Sequence, residues 1–299
     1  MAGRLIFAAL AVLLIFTACP ALAGEANDGV IGTILEVQGS ASVTPQGGQA
    51  AAAAIDAPLH LNDVVQTGAE SRVFILFIDN TELTLSEKTQ VKIDDYVYDP
   101  DDNSGNKALY GVMQGAFQYV SGLIGKKENP DVHIATPVGM IGIRGTDFWA
   151  GDLDGQYSVA VNEGQVALKT DAGEEVVNKG EGTSVRDRHA RPDRAKAWGR
   201  EKLQRIAGTV RLERREMVRQ RIAAMQGRQQ QLRQRYKEYM QGRRSGFRQE
   251  KRGQRLKNRE LRGPRLRKAD APLHRGDVEI PDATTNIPDF SGGGDMRGQ

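Results

Sequence analysis

The chain has 299 residues, one cysteine, and 41 Lys/Arg against 38 Asp/Glu, for a formal net charge of +3. A single cysteine excludes an intrachain disulfide and any paired-cysteine metal site. The total charge averages unlike parts: residues 24–185 hold 24 Asp/Glu and 9 Lys/Arg (net −15), residues 186–268 hold 8 and 29 (net +21), and residues 269–299 hold 6 and 2 (net −4).

Arg4 gives a short positive start, Leu5 to Ala18 form an apolar run, and Ala21-Leu22-Ala23 place small side chains at the positions a signal peptidase reads. Residues 1–23 therefore read as a secretory signal peptide cleaved between Ala23 and Gly24. The run is shorter than the ~20 residues of a membrane-spanning helix. An uncleaved anchor and a lipoprotein are the alternatives, the second because Phe16-Thr17-Ala18-Cys19 loosely resembles a lipobox. On cleavage Cys19 leaves, and with it any thiolate nucleophile or cysteine ligand. No later segment is long and apolar enough to cross a bilayer.

From Val30 the pattern becomes short apolar runs punctuated by turn residues. Val30 to Val37 reads as a strand ended by Gln38-Gly39, and Asp63-Val64-Val65 leads to a turn at Thr67-Gly68. Arg72 to Ile78 is continuously apolar, Asp79-Asn80 turns, Glu82 to Leu85 resumes, and Gln90 to Asp94 alternates cleanly. Strands at about 8–12 residue spacing predict an all-β domain over 24–190. A strand–glycine–strand grammar recurs at Val37–Val43 and Val161–Leu168, which admits a β-solenoid beside a sandwich.

Five stretches in order are similar to those of the FecR domain, the exported β-rich domain named for the ferric citrate regulator. They are Gly32 to Gly39, Leu61 to Ser71, Phe77 to Leu85, Gly115 to Gly122, and Thr136 to Phe148. The resemblance covers roughly 30–185. It implies an exported module working by contact, and it brings no catalytic or iron-binding residue with it. Well-studied members carry a cytoplasmic segment that controls a sigma factor. Only Met1 to Arg4 precede the apolar run here, so that role is not expected.

Within the last stretch, Thr136-Pro137 starts a turn, and Gly142 and Gly145 suggest a tight bend around Arg144. Thr146 and Asp147 can cap backbone locally, and Phe148-Trp149 supply core or half-exposed aromatic surface. The stretch reads as architecture, with the Arg144 charge matched inside the fold. The rival reading makes Arg144 an anion-binding residue with Asp147 beside it.

Residues 94–106 are the most acidic part. Asp99, Asp101 and Asn103 fit a calcium loop, but the glycine falls late at Gly105 and Tyr110 stands where the bidentate glutamate belongs. A solvated acidic loop is the better reading. His60, His133, His189 and His274 lack metal-ligand spacing. No nucleophile elbow or phosphate loop occurs, so no enzyme, cofactor or metal is expected.

After Arg191-Pro192-Asp193 the chain turns to Arg, Gln, Lys and Glu. Leu203, Ile206, Val210 and Met217, then Ile222, Met225, Leu232, Tyr236 and Tyr239, recur at helical spacing, interrupted by Glu213 and Gln229. Gly208, Gly227, Gly242, Gly246 and Gly253 each cost roughly 1 kcal/mol inside a helix. A basic helical, coiled-coil-like segment is expected over 191–240 and a low-complexity, largely disordered tail over 241–299. Function then divides between two readings, both placed in the periplasm or cell envelope. In one, the β domain recognises an envelope protein or glycan. In the other, the arginine-rich tail binds an anionic polymer (lipopolysaccharide, acidic polysaccharide or extracellular nucleic acid). The tail could also dock on this protein's own acidic domain, or on a neighbour's, giving self-association.

Overall fold

The computed structural model describes residues 29–261, with side chains as far as Arg243. The Ala23–Gly24 junction, Cys19 and the tail after Leu261 lie outside the described residues. Eight strands come first: β1 (Gly32–Gln38), β2 (Ala41–Thr44), β3 (Ala51–Ala52), β4 (Pro58–Leu59), β5 (Val64–Thr67), β6 (Arg72–Phe77), β7 (Glu82–Leu85) and β8 (Gln90–Val97). A 3-10 turn at Asn103–Gly105 leads to β9 (Lys107–Gln114), β10 (Phe117–Val120), β11 (Asp131–Thr136), β12 (Gly139–Leu153) and β13 (Gln156–Thr170). Then come β14 (Gly173–Asn178), β15 (Glu181–Val185), β16 (Lys196–Ala197), α1 (Arg200–Thr209) and α2 (Arg215–Leu261). The chain divides into two units, the first ending at Arg248 and the second beginning at Gln249. The sheet, α1 and the described side chains of α2 belong to the first.

All the strands form one sheet that curls over its own core. Its hinge is the long β12–β13 hairpin. The first part of β12 pairs with β11, through Ile134↔Ile141, and the second part with β10, through Tyr119↔Phe148. β13 likewise changes partner, from β15 to β14. Two wings thus extend from one hairpin, β11-β9-β8-β5-β2-β3 and β10-β7-β6-β1-β4. Aromatic side chains meet between them. Phe77 of β6 stacks on Tyr96 of β8 at 5.7 Å between ring centres, and Tyr110 of β9 meets Tyr119 of β10 edge-on at 5.9 Å. Stacked solenoid coils would pair in parallel, whereas among the described residues only β9 with β11 does so. The recurrent strand–glycine grammar marks antiparallel hairpins, and the sheet is the curled, sandwich-like alternative.

One buried carboxylate ties the wings together. Asp79, fully buried in the β6–β7 turn, accepts hydrogen bonds from the Tyr96 hydroxyl at 2.9 Å, the Thr81 hydroxyl at 2.8 Å, the Thr81 amide at 3.1 Å and the Ile124 amide at 3.2 Å. A buried carboxylate is tolerable when donors surround it in this way. Burial, and then the Asp79 charge, hold the Tyr96 hydroxyl protonated well above the ordinary tyrosine range.

The continuous apolar run of β6 has a cause outside the sheet. Val73, Ile75 and Phe77 face the core, while Phe74 and Leu76 face outward and are buried as well. A strand covered on both faces need not alternate. What covers the outer face is α2 and the link before it: Val218 and Met225 of α2, with Leu212 of the link, pack on Leu35, Phe74 and Leu76. α1 covers a neighbouring patch in the same way, setting Ile206 and Val210 on Ala116, Trp149, Leu153 and Ala160. The apolar stripe of α2 faces strands rather than a second helix. Both helices contain the glycines that argued against them, and α2 continues past residue 240 through arginine, glutamine and lysine, all good helix formers.

Candidate interaction surfaces

The stretch from Thr136 to Phe148 builds the hinge. The Thr136 hydroxyl donates to the Gly139 carbonyl at 2.8 Å and closes the β11–β12 turn, where exposed Pro137 owes no ladder donor. Gly145 takes φ +58° and the β12–β13 register slips between Arg144 and Asp147, so the strand bulges there. The bulge is anchored: the Gly145 amide donates to the Gly125 carbonyl at 2.9 Å, and the Thr146 amide to the Ser121 hydroxyl at 2.9 Å. Across the hairpin Gly164 has φ +76°, and a Cβ there would run into the Gly145 carbonyl. Beyond the bulge, Phe148 packs between Phe117 and Tyr119, at 5.9 and 5.7 Å between ring centres. The Trp149 indole donates to the Thr209 hydroxyl at 2.9 Å, which fixes the end of α1.

Asp147 is half-buried and accepts from the side-chain amides of Gln118 at 2.7 Å and Asn162 at 3.3 Å. Burial, and then the Asp147 charge, raise the Glu82 carboxyl above its ordinary range. Asp147 therefore serves neighbouring side chains and not backbone caps.

Arg144 departs from the sequence reading. Ile141 and Ile143 take the core positions, so strand alternation turns residues 142 and 144 outward. Arg144 is exposed, and no side-chain hydrogen bond or ion pair joins it to another described residue. The internal charge match expected for it does not exist.

Gly142 is the second surprise. Its φ is ordinary, and a Cβ would approach nothing closer than the His133 ring at 3.9 Å. Neither backbone nor packing demands glycine at this position. Its effect is on the surface. His133, Gly142, Ala167 and Val176 are register neighbours across β11, β12, β13 and β14. The small pair Gly142–Ala167 leaves a trough of about 340 Å³, bounded by Arg144 and Gln165 on one side and by Glu174 and Val176 on another. Val176 is 42% exposed on β14, and among the described residues β14 pairs only with β13. An apolar floor, an unpaired cation and a sheet edge therefore converge.

The arginine-rich segment is docked on the domain from Arg221 to Lys237. Arg221 bonds the Leu35 carbonyl at 2.5 Å and pairs with the Glu36 carboxylate, which is 1% exposed. Gln229, an apparent interruption of the apolar stripe, is buried and donates to the Phe77 carbonyl at 3.2 Å. Arg233 donates to the Ile78 carbonyl at 2.5 Å, and the Tyr236 hydroxyl to the Tyr96 carbonyl at 2.7 Å. Lys237 pairs with Asp101. The other apparent interruption, Glu213, falls between the two helices.

The acidic loop is held from within. Asn106 bridges Asp99 through two hydrogen bonds of 2.7 and 2.9 Å, and the Lys127 ammonium takes the Asn106 and Asn103 carbonyls at 2.6 and 3.2 Å. A lysine thus supplies the positive charge at the loop carbonyls. Among the described residues no group of three or more His, Cys, Asp or Glu could hold a metal ion, and no helix is long and apolar enough to cross a membrane.

Residues 63–167 match the family model described as FecR protein, and the chain carries a FecR domain. The matched span takes in the Asp79 turn, the hinge, Gly142 and Arg144, and leaves α1 and α2 outside. Among solved structures, a "putative anti-sigma factor" from Parabacteroides distasonis, represented by two crystal structures, is 14% identical, with 47% of this chain and 62% of that chain covered at a TM-score of 0.38. The chain thus spans less than two thirds of the length of that protein. A structure described as a "Cell surface anchoring domain" is 28% identical over 21% of this chain and 83% of that chain, at a TM-score of 0.21. No curated protein matches the chain.

Proposed function

We propose that this protein is a non-enzymatic, exported module of the cell envelope that scaffolds or signals by contact, recognising a protein or glycan through its β11–β14 face. Export rests on the signal peptide at residues 1–23, and the periplasm is the compartment that sequence suits best. The observation that carries the reading is the trough beside Arg144. An exposed arginine without a described partner borders a depression opened by Gly142, a glycine that neither φ nor packing requires. Arginine donates a planar fork suited to carboxylates and hydroxyl pairs, and the apolar floor adds contact area around it.

A second reading keeps the polyanion for the distal arginine-rich stretch. Residues 200–242 hold 12 Lys/Arg and 4 Asp/Glu, and their arginines are partly committed to the domain. Residues 243–268 hold 12 Lys/Arg and only 2 Asp/Glu, so charge density rises where the described docking contacts end. Such a stretch suits phosphate-bearing or acidic polymers, with a strong salt dependence.

Co-sedimentation with isolated cell envelopes across a salt series tests both. Residues 24–299 are compared with a Gly142→Leu variant, which fills the trough, and with residues 24–243. The Gly142→Leu variant is expected to lose the salt-resistant fraction, and the shortened chain only the salt-sensitive one. A Gly142→Leu variant that pellets like the parent at every salt concentration would refute the trough.

A further inference from the structure

We infer that the cleft between α1 and the outer face of the hinge hairpin binds a medium-chain carboxylate, apolar along its body and anionic at one end. This site is separate from the Arg144 trough and does not depend on it. A cavity of about 420 Å³ runs beside α1, with Trp149, Leu203, Ile206 and Val210 among its lining. That volume lies within the range of small-molecule pockets.

Shape points to a chain rather than a compact ring. Arg200, Leu203, Gln204 and Ala207 line the cleft from successive turns of one helix face. At 1.5 Å per residue they span about 10 Å along the axis. Trp149 faces this row with its indole fixed by Thr209 at 2.9 Å, so the wall is set before a ligand arrives.

Charge gives the polarity of the ligand. Arg200 and Arg215 both line the cleft, the first at the start of this row and the second at the start of α2, and neither makes an ion pair or side-chain hydrogen bond with another described residue. Their neighbour Arg205 does, to Asp154 at 2.5 Å, so an arginine of α1 pairs when an acid is in reach. No carboxylate lines the cleft. The nearest acid by connection, Asp147, is already engaged by Gln118 and Asn162, both at the rim. A carboxylate at one arginine, with its chain along the helix, would satisfy a cation and displace water from an apolar wall.

The test uses the full mature chain. The protein has two tryptophans, so Trp198→Phe leaves Trp149 as the sole indole, excited selectively beyond the tyrosine absorption. Bromodecanoate, which quenches indole on contact, is titrated against it. Saturable quenching is expected, competed by decanoate and at least tenfold less effectively by decanol. Changing both Arg200→Gln and Arg215→Gln should raise the apparent Kd about tenfold and leave quenching at saturation unchanged. In the unaltered protein, decanoate should raise the thermal midpoint more than decanol does. Unsaturable quenching with no midpoint shift, or equal competition by the alcohol and the acid, overturns the assignment.

Discussion

Two regions invert what their composition suggests. Residues 139–149 are mostly apolar, yet they present their arginine to solvent; residues 218–240 are rich in charge, yet they bring Arg221 onto a carboxylate that is 1% exposed. Local geometry decides both cases. In β12 the period-two alternation gives Ile141 and Ile143 to the core and turns Arg144 away from it. In α2 the face that carries Val218, Met225 and Tyr236 also carries Arg221, Gln229 and Arg233, which reach backbone carbonyls along the sheet. A charged residue is placed by the face it occupies rather than by the company it keeps in sequence.

The sharpest way to break this contrast is to remove the two arginines in turn. Arg221→Ala strands Glu36 as a buried, uncompensated carboxylate and should cost about 3–5 kcal/mol in denaturant unfolding. Adding Glu36→Gln should restore much of that. A loss below about 1 kcal/mol would mean that the pair behaves as an exposed one. Next in size are two glycines of the hinge. Gly164→Ala forces a side chain to positive φ against the Gly145 carbonyl and should cost about 1–3 kcal/mol. Gly142→Ala, over open space, should leave the thermal midpoint almost unchanged.

A smaller effect depends on pH. Hydrogen bonding from Arg205 holds the exposed Asp154 carboxyl below its ordinary range. A folded pKa below the unfolded one gives stabilisation that is complete above the ordinary carboxylate pKa. It is lost as pH falls through the lowered folded value. The difference in thermal midpoint between the parent and Arg205→Ala should therefore be present at neutral pH and close in acid. Smallest of all, Arg144→Ala should change stability by no more than about 0.5 kcal/mol; a larger loss would mean that Arg144 has a structural partner after all.

Much of the sheet was legible because strands announce themselves: the Asp79-Asn80 turn, the alternation in β8 and the bend at Gly145 all lie where their chemistry placed them. The helical stripe was legible too, through Ile206, Val210, Ile222, Met225 and Tyr236. That it docks on the chain's own acidic domain was legible only as one alternative from charge, and the strands it packs on were not legible. The clue lay in β6, whose unbroken apolar run needed a second cover, and in Gln229, which looked like an interruption while serving as a donor. Long-range pairs such as Arg221 with Glu36 leave no local trace, because nothing near either residue specifies the other. The exposed position of Arg144 could have been read from the alternation Ile141, Ile143, had the bend between Gly142 and Gly145 not suggested an enclosed corner.

Native-state hydrogen exchange on the full mature chain tests most directly whether the first part of α2 belongs to the fold of the sheet. Amides of residues 218–240 should exchange with the same free energy, and the same denaturant dependence, as those of β1 and β6. Release of the helix amides at markedly lower free energy, with β1 and β6 still protected, would contradict the account and make α2 a separable arm.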